Sequence, residues 1–289
     1  MTRLVGKGRE TIGMIADAGS FTENLVGNAT GYEGVAPGAV TGTGAIGGKS
    51  ATIIAIDAMV ANKRFQTVFA GIIGLEEGYK MAMAVYNTIA ADYGQPEKRP
   101  IILIVDTPGN GPGKTEEIFG MNKSTGAYQL ALAEARQHGH PVVAVVIGRA
   151  ISGAFLCHGL QADHIIALSK SFGTVIHVMP LSSIARITKM DIETLEELSK
   201  TNPVFASGAD YFYKLGGIEE IIDDADDIRR VVIRHIAEIY ALRAENTLEN
   251  TGPWSRGELG AQRGGRTVRA RVISMMKEEF DAVMDRYEN

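Results

Sequence analysis

One cysteine, Cys157, stands among 289 residues, which excludes an intrachain disulfide and any metal site built from several cysteines. No stretch reaches the run of about 18 apolar residues that a spanning helix needs. The opening residues, Met1-Thr-Arg-Leu-Val-Gly-Lys-Gly-Arg-Glu10, lack the apolar centre of a secretory signal. Charge of one sign is also scarce. Twenty-nine Lys and Arg against 34 Asp and Glu leave a net charge of −5, with no bulk attraction for nucleic acid or an anionic membrane. No repeat at a solenoid period is visible. A soluble cytoplasmic protein without a nucleic-acid or membrane partner is the expectation.

What is present is apolar and glycine-rich. Hydrophobic residues make up 45% of the chain, enough for a full core in one large domain or two small ones. The 34 glycines exceed the usual share of about 7%, and many fall where a strand pattern ends. Glycine there lets loop backbone press against a ligand.

The clearest patterns lie between residues 101 and 168. Ile-Ile-Leu-Ile-Val-Asp106-Thr-Pro-Gly109-Asn-Gly111-Pro-Gly113 and Val-Val-Ala-Val-Val-Ile-Gly148-Arg-Ala-Ile-Ser152-Gly153-Ala154 are buried-strand runs, each feeding a glycine-marked turn. About one βα unit apart, the two exits can sit side by side at the carboxyl edge of a parallel sheet. Further strands are expected at 49–57, weakly at 61–68, and at 164–168 and 174–178. Helices are expected at 75–93, through 128–136, from 152, at 182–187, 192–199 and 227–246, with a short helix and strand within 211–222. Residues 41–48 read as a turn region, and a Gly/Arg-rich linker after Trp254 leads to a terminal helix at 272–287. Alternating strands and helices with continuous apolar strands give an α/β fold with a largely parallel sheet.

Several chemical readings compete for these turns. Gly113-Lys114-Thr115 resembles the end of a phosphate loop, but the glycine required five residues earlier is Pro108, which has no N–H to offer. Ser152-Gly153-Ala154 is the better candidate, because first-turn amides of a helix are unpaired and small side chains let a carbonyl reach them. Close helix–sheet packing would equally explain these small residues. His177, near the exit of its strand, is a candidate hydrogen-bond donor or proton relay. His158, a turn and a half into its helix, reads as an internal residue, and Cys157 as buried and inert. The acids between 219 and 227 sit before a long helix, where its dipole favours them. Arg263, Arg266, Arg269 and Arg271 form a basic run that could meet a coenzyme phosphate or an acidic protein, or remain solvated.

The block Gly148-Arg-Ala-Ile-Ser-Gly-Ala-Phe-Leu-Cys-His-Gly-Leu-Gln-Ala-Asp-His-Ile-Ile-Ala-Leu168 resembles malonate decarboxylase γ subunits. So do His177-Val-Met, Ala185-Arg-Ile-Thr188, Ile192-Glu-Thr-Leu-Glu196, Tyr211 and Lys214-Leu-Gly216. Asp106-Thr-Pro-Gly109 with Pro112-Gly113 is similar to a loop of biotin-using carboxyltransferases. Gly19-Ser20-Phe21-Thr-Glu23 and the turn at 41–48 are similar to their N-terminal part. The resemblance spans residues 18–222. It implies a crotonase-like α/β fold, a spiral of ββα units, over residues 1–245, with 246–289 as linker and C-terminal helix.

The resemblance further implies a hetero-oligomer with a β subunit and an acyl carrier protein, whose malonyl thioester rides on a dephospho-CoA-type prosthetic arm. Carried over by position, Gly153 and Ala154 supply the backbone N–H pair of the oxyanion-binding turn, beside Ser152. Gly109, Gly111 and Gly113 lie in the facing loop as cofactor-binding candidates. Loss of the carboxyl group leaves an enolate, whose charge each backbone donor would stabilise by about 3–4 kcal/mol. With the charge so held, no metal and no tightly bound cofactor is expected. The main reading is a malonate decarboxylase γ subunit that decarboxylates the malonyl thioester to an acetyl thioester, and the alternative route passes the carboxyl group to biotin on a separate carrier. A non-catalytic scaffold completing a partner's site is the third reading.

Overall fold

The computed structural model describes residues 3–179, 181–200, 208–244 and 248–287. Helix α1 (Gly8–Ile15) buries Thr11, Ile12 and Ile15 along one stripe. Three two-residue strands, β1 (Thr22–Glu23), β2 (Leu25–Val26) and β3 (Ala29–Thr30), lead into the antiparallel hairpin β4 (Ala39–Ile46) and β5 (Lys49–Ile56). Only Gly47 and Gly48 turn, with φ of +60° and +79°. The turn expected at 41–48 is therefore mostly strand. Gly42 and Gly44 disguise it, and Gly42 is small for a reason: a Cβ there would lie 2.4 Å from the Thr22 carbonyl.

The weak strand expected at 61–68 is a loop instead. Asn62 organises it by accepting, through Oδ1, the amides of Arg64 and Phe65 at 2.9 and 3.2 Å. Then follow α2 (Leu75–Ala91), β6 (Ile101–Thr107), α3 (Lys114–Phe119) and α4 (Met121–Gln137). Next come β7 (Val142–Ile151), α5 (Ser152–Cys157), β8 (His164–Leu168) and β9 (Val175–His177). The remainder is α6 (Leu181–Thr188), α7 (Ile192–Ser199), α8 (Ala209–Lys214), β10 (Glu220–Ile222), α9 (Ile228–Ala244), α10 (Gly252–Gln262) and α11 (Arg269–Asp281).

The sheet runs β1-β4-β5-β6-β7-β8-β10, parallel from β5 onward, and β9 pairs separately with β7. Strands β6 and β8 are buried at every position, which is why their sequences lack alternation. Ile101, Leu103 and Val105 face one core with Met81, Val85, Tyr128 and Leu132. Ile102 and Ile104 face the other, covered by Ile12, Ile15, Val232 and Ile239 from α1 and α9. Strand β7 outruns its expected end at 147. Its first half pairs with β8 and its last three residues with β9, so one strand serves two layers.

The expected Gly/Arg-rich linker after Trp254 is helix α10, and it is bound into the body of the protein. Asp163, buried before β8, accepts from Arg136 Nε at 2.7 Å, Arg243 Nη2 at 2.5 Å, the Val142 amide at 2.8 Å and Thr251 Oγ1 at 2.8 Å. Arg256 Nη1 and Nη2 donate to the carbonyls of Leu160 and Ala162 at 2.5 and 2.6 Å. Local composition misleads here, because the partners of Arg256 lie more than ninety residues away in the chain.

Burial pushes the Asp163 carboxyl up, but Arg136, Arg243 and the hydrogen bonds outweigh it and hold the group below its ordinary value. Its stabilisation is therefore present at neutral pH and fades as pH falls through the folded pKa. Asp163→Asn should cost about 3–5 kcal/mol at pH 7, since it leaves buried guanidinium uncompensated. Denaturant unfolding at pH 7 and at acid pH checks this: the difference from wild type must shrink on acidification.

Candidate active site

Strands β6, β7 and β9 end together. Thr107 is level with Ala150, and Ile151 with His177, after a register shift between Val105 and Thr107. The ends are tied by Asp106, which is buried within β6 and does not belong to the loop after it. Asp106 Oδ1 accepts from the Arg149 amide at 2.9 Å and from Arg149 Nε at 2.8 Å. Its Oδ2 accepts from Arg149 Nη2 at 3.1 Å and the Gly6 amide at 2.6 Å. Gly148 makes room for this carboxylate, since a Cβ there would sit 2.6 Å from Oδ1.

Beyond Ile151 the chain turns sharply. Ser152 has φ +57°, a left-handed conformation uncommon outside glycine, and its side chain is exposed. Helix α5 starts there without a side-chain cap from Ile151. Gly153 and Ala154 lie in the first turn of α5, where backbone amides have no acceptor within the helix. Gly153 is half-buried and Ala154 buried. Facing Gly153 is the carboxamide of Asn110: a Cβ on the glycine would lie 3.1 Å from Oδ1 and 3.2 Å from Nδ2. Asn110 Oδ1 is buried and has no donor among the described residues.

The facing loop is fixed by a segment the sequence left unassigned. Ile73 donates its amide to the Gly109 carbonyl at 3.1 Å and accepts the Gly111 amide at 2.9 Å. Ala70 and Gly71 turn this segment with φ of +51° and +90°. Of the three loop glycines, Gly109 (φ +145°) faces open space, where a Cβ would meet nothing within 4 Å. The Gly111 amide is committed to Ile73, and Gly113 precedes α3 with ordinary extended backbone, Glu116 folded over it. Gly71 and Gly74 were the available signals for this second turn. Nothing local marks Asn110, because its neighbour Gly153 is 43 positions away.

His177 is half-buried, and its Nδ1 has no partner among the described residues. Burial lowers its pKa, so the ring is neutral at pH 7. His158 is internal. Its Nδ1 accepts from Tyr128 Oη at 2.9 Å, Nε2 donates to the Ile104 carbonyl at 3.0 Å, and burial brings its pKa down to about 4. Cys157 is buried, its thiol pushed up to about 12 by desolvation.

The basic run is largely structural. Arg263 donates to the carbonyls of Tyr213, Ile218 and Glu219 at 2.8, 2.6 and 3.0 Å and lies over the Tyr213 ring. Arg266 Nε donates to the Leu215 carbonyl at 2.7 Å. Glu219, read as part of an acidic cluster, is half-buried beneath this turn and accepts the Ile165 amide.

Gly148→Ala should displace the Asp106 carboxylate and cost about 1–3 kcal/mol, the range for overpacking. A thermal melt checks this, and an unchanged Tm would show that the strand ends do not depend on that fit.

The family model for the malonate decarboxylase gamma subunit matches residues 70–280. The malonyl-S-ACP:biotin-protein carboxyltransferase MADD of Malonomonas rubra is 63% identical over 285 residues, 98% of each chain. Among solved structures, a chain of the Pseudomonas malonate decarboxylase MdcD-MdcE hetero-dimer superposes with a TM-score of 0.74 and 26% identity, covering 96% of this chain and 100% of that one. A transcarboxylase 12S chain shares the fold at TM-score 0.63 and 24% identity, over 81% of this chain and 42% of its own.

Proposed function

This chain belongs to the malonate decarboxylase gamma-subunit family, a group with the crotonase-like carboxyltransferase fold, and from that premise we propose its reaction. It removes the carboxyl group of a malonyl thioester carried by an acyl carrier protein and passes it to biotin on a separate carrier. The observation that carries this route is the near-full-length 63% identity to a protein named for that transfer, against 26% to the malonate decarboxylase structure. Of the two routes open at the level of sequence, transfer to biotin is thereby favoured over direct release of CO₂. The reading carries with it a cytoplasmic location and a dephospho-CoA-type arm on the carrier. None of the helices in the described residues is long and apolar enough to cross a membrane.

In this reading the bond between the thioester's α-carbon and its carboxyl group breaks, and its electron pair moves onto the thioester oxygen. The amides of Gly153 and Ala154 hold that oxygen. Their place in the first turn of α5, where amides have no acceptor within the helix, and the sharp entry through Ser152 support the assignment. Gly109 offers a face without side chain on the opposite wall, and the Gly111 amide is committed to Ile73. His177 donates a hydrogen bond or relays the proton that converts the enolate to an acetyl thioester, a role supported by its register with Ile151 and its unpartnered Nδ1. The ureido proton given up by biotin balances the one gained at carbon. The Pseudomonas relative is a hetero-dimer, and a β subunit completes the site here as well.

Two measurements on the assembled complex test the proposal. Avidin should abolish malonyl-dependent turnover, whereas turnover that persists would favour direct CO₂ release. Gly153→Val brings a branched side chain against Asn110 and the amide pair. It should lower kcat by about 10²–10³-fold, the cost of a lost oxyanion donor, with assembly intact by size-exclusion chromatography. Full activity in that variant would make this chain a scaffold.

A further inference from the structure

At the opposite end of the sheet, three ligand atoms converge on one point. His164 opens β8, and its partner residues on β7 lie near that strand's start, so it marks the amino edge of the parallel strands. His235 and Glu238 are three residues apart on α9 and share a face. The two Nδ1 atoms are 2.8 Å apart, with ring planes at 85°. Glu238 Oε2 lies 3.3 Å from His235 Nδ1 and 4.0 Å from His164 Nδ1. A tetrahedral cation with bonds of about 2.0–2.2 Å holds its ligand atoms about 3.3–3.5 Å apart, and the three separations straddle that value.

One tautomer of His235 suits a cation at this point. His235 Nε2 sits 2.9 Å from Glu220 Oε2, and Arg234 pairs with the same carboxylate. An imidazole that donates from Nε2 presents a lone pair at Nδ1. That lone pair looks directly at a second imidazole nitrogen and a carboxylate oxygen. The carboxylate behind His235 is also the outer partner that metal-bound histidines commonly keep, fixing the tautomer and orienting the ring. Nearby Arg243 and Arg256 are engaged with Asp163 and with backbone carbonyls.

We propose that His164 Nδ1, His235 Nδ1 and Glu238 Oε2 bind a zinc ion, with water as fourth ligand, that clips α9 to β8. Two imidazoles and one carboxylate suit zinc, and the set lacks the oxygen-rich shell that magnesium or calcium requires. Both histidines are buried, while Glu238 is half-exposed and leaves a path for entry. Lying at the amino edge, away from Ser152 and His177, the ion acts on stability and takes no part in the carboxyl chemistry.

The full chain, stripped with chelator and dialysed, is titrated with Zn²⁺ and with Co²⁺. One equivalent of zinc should bind and raise Tm, and Co²⁺ should give the intense visible absorption of a four-coordinate site. Glu220→Gln, outside the ligand set, should weaken zinc about 10–100-fold, and Glu238→Gln should abolish the Co²⁺ spectrum while the protein stays folded. A wild-type chain whose Tm ignores both metals, or follows pH alone, carries a proton shared between the histidines, and the proposal fails.

Discussion

Asp106 is the constraint on which the working end of this protein depends. A buried carboxylate must have its lone pairs filled, and here the donors come from two chain segments: the N-terminal arm at Gly6 and the end of β7 at Arg149. The carboxylate therefore fixes where β6 ends relative to β7. A Cβ on Gly71 would meet the Asp106 carbonyl at 2.8 Å and Arg149 at 3.1 Å, so the second loop packs onto the same pair. Loop positions that a ligand would read are thus set by one rigid ion pair beneath them. Such support is what backbone donors need if they are to be in place before charge develops.

The two edges of the sheet divide the labour. At the carboxyl edge, Asn110 Oδ1 and His177 Nδ1 are left without partners among the described residues. At the amino edge the Asp163 carboxylate is filled by its arginines, a backbone amide and Thr251. Unpaired buried polar groups are costly, so Asn110 Oδ1 and His177 Nδ1 beside the turn at Ser152 point to where a ligand belongs.

Much of this was legible in the chain. Fully buried strands announce themselves as unbroken apolar runs, so β6, the start of β7 and β8 were readable, as were α2, α7 and the turn at Ser152. The misses share a cause, which is that local composition stood in for distant contacts. Gly42 and Gly44 looked like turn residues because Phe21 and Thr22, which cross over them, are not adjacent in sequence. Arg256 and Arg263 looked like solvated charge because the carbonyls that hold them belong to other elements. Gly111 and Gly113 look no different from Gly109 in the sequence. Only the pairing with Ile73 and the fold of Glu116 separate them.

The fastening of α10 also bears on how the chain is made. Thr251 fills a site on Asp163, and Arg256 takes the carbonyls of Leu160 and Ala162, so residues near the C-terminus complete polar groups laid down in mid-chain. A nascent chain extruded as far as residue 245 has every strand of the sheet yet still lacks those donors. Its amino edge stays open to water until the ribosome has delivered residues 251–256.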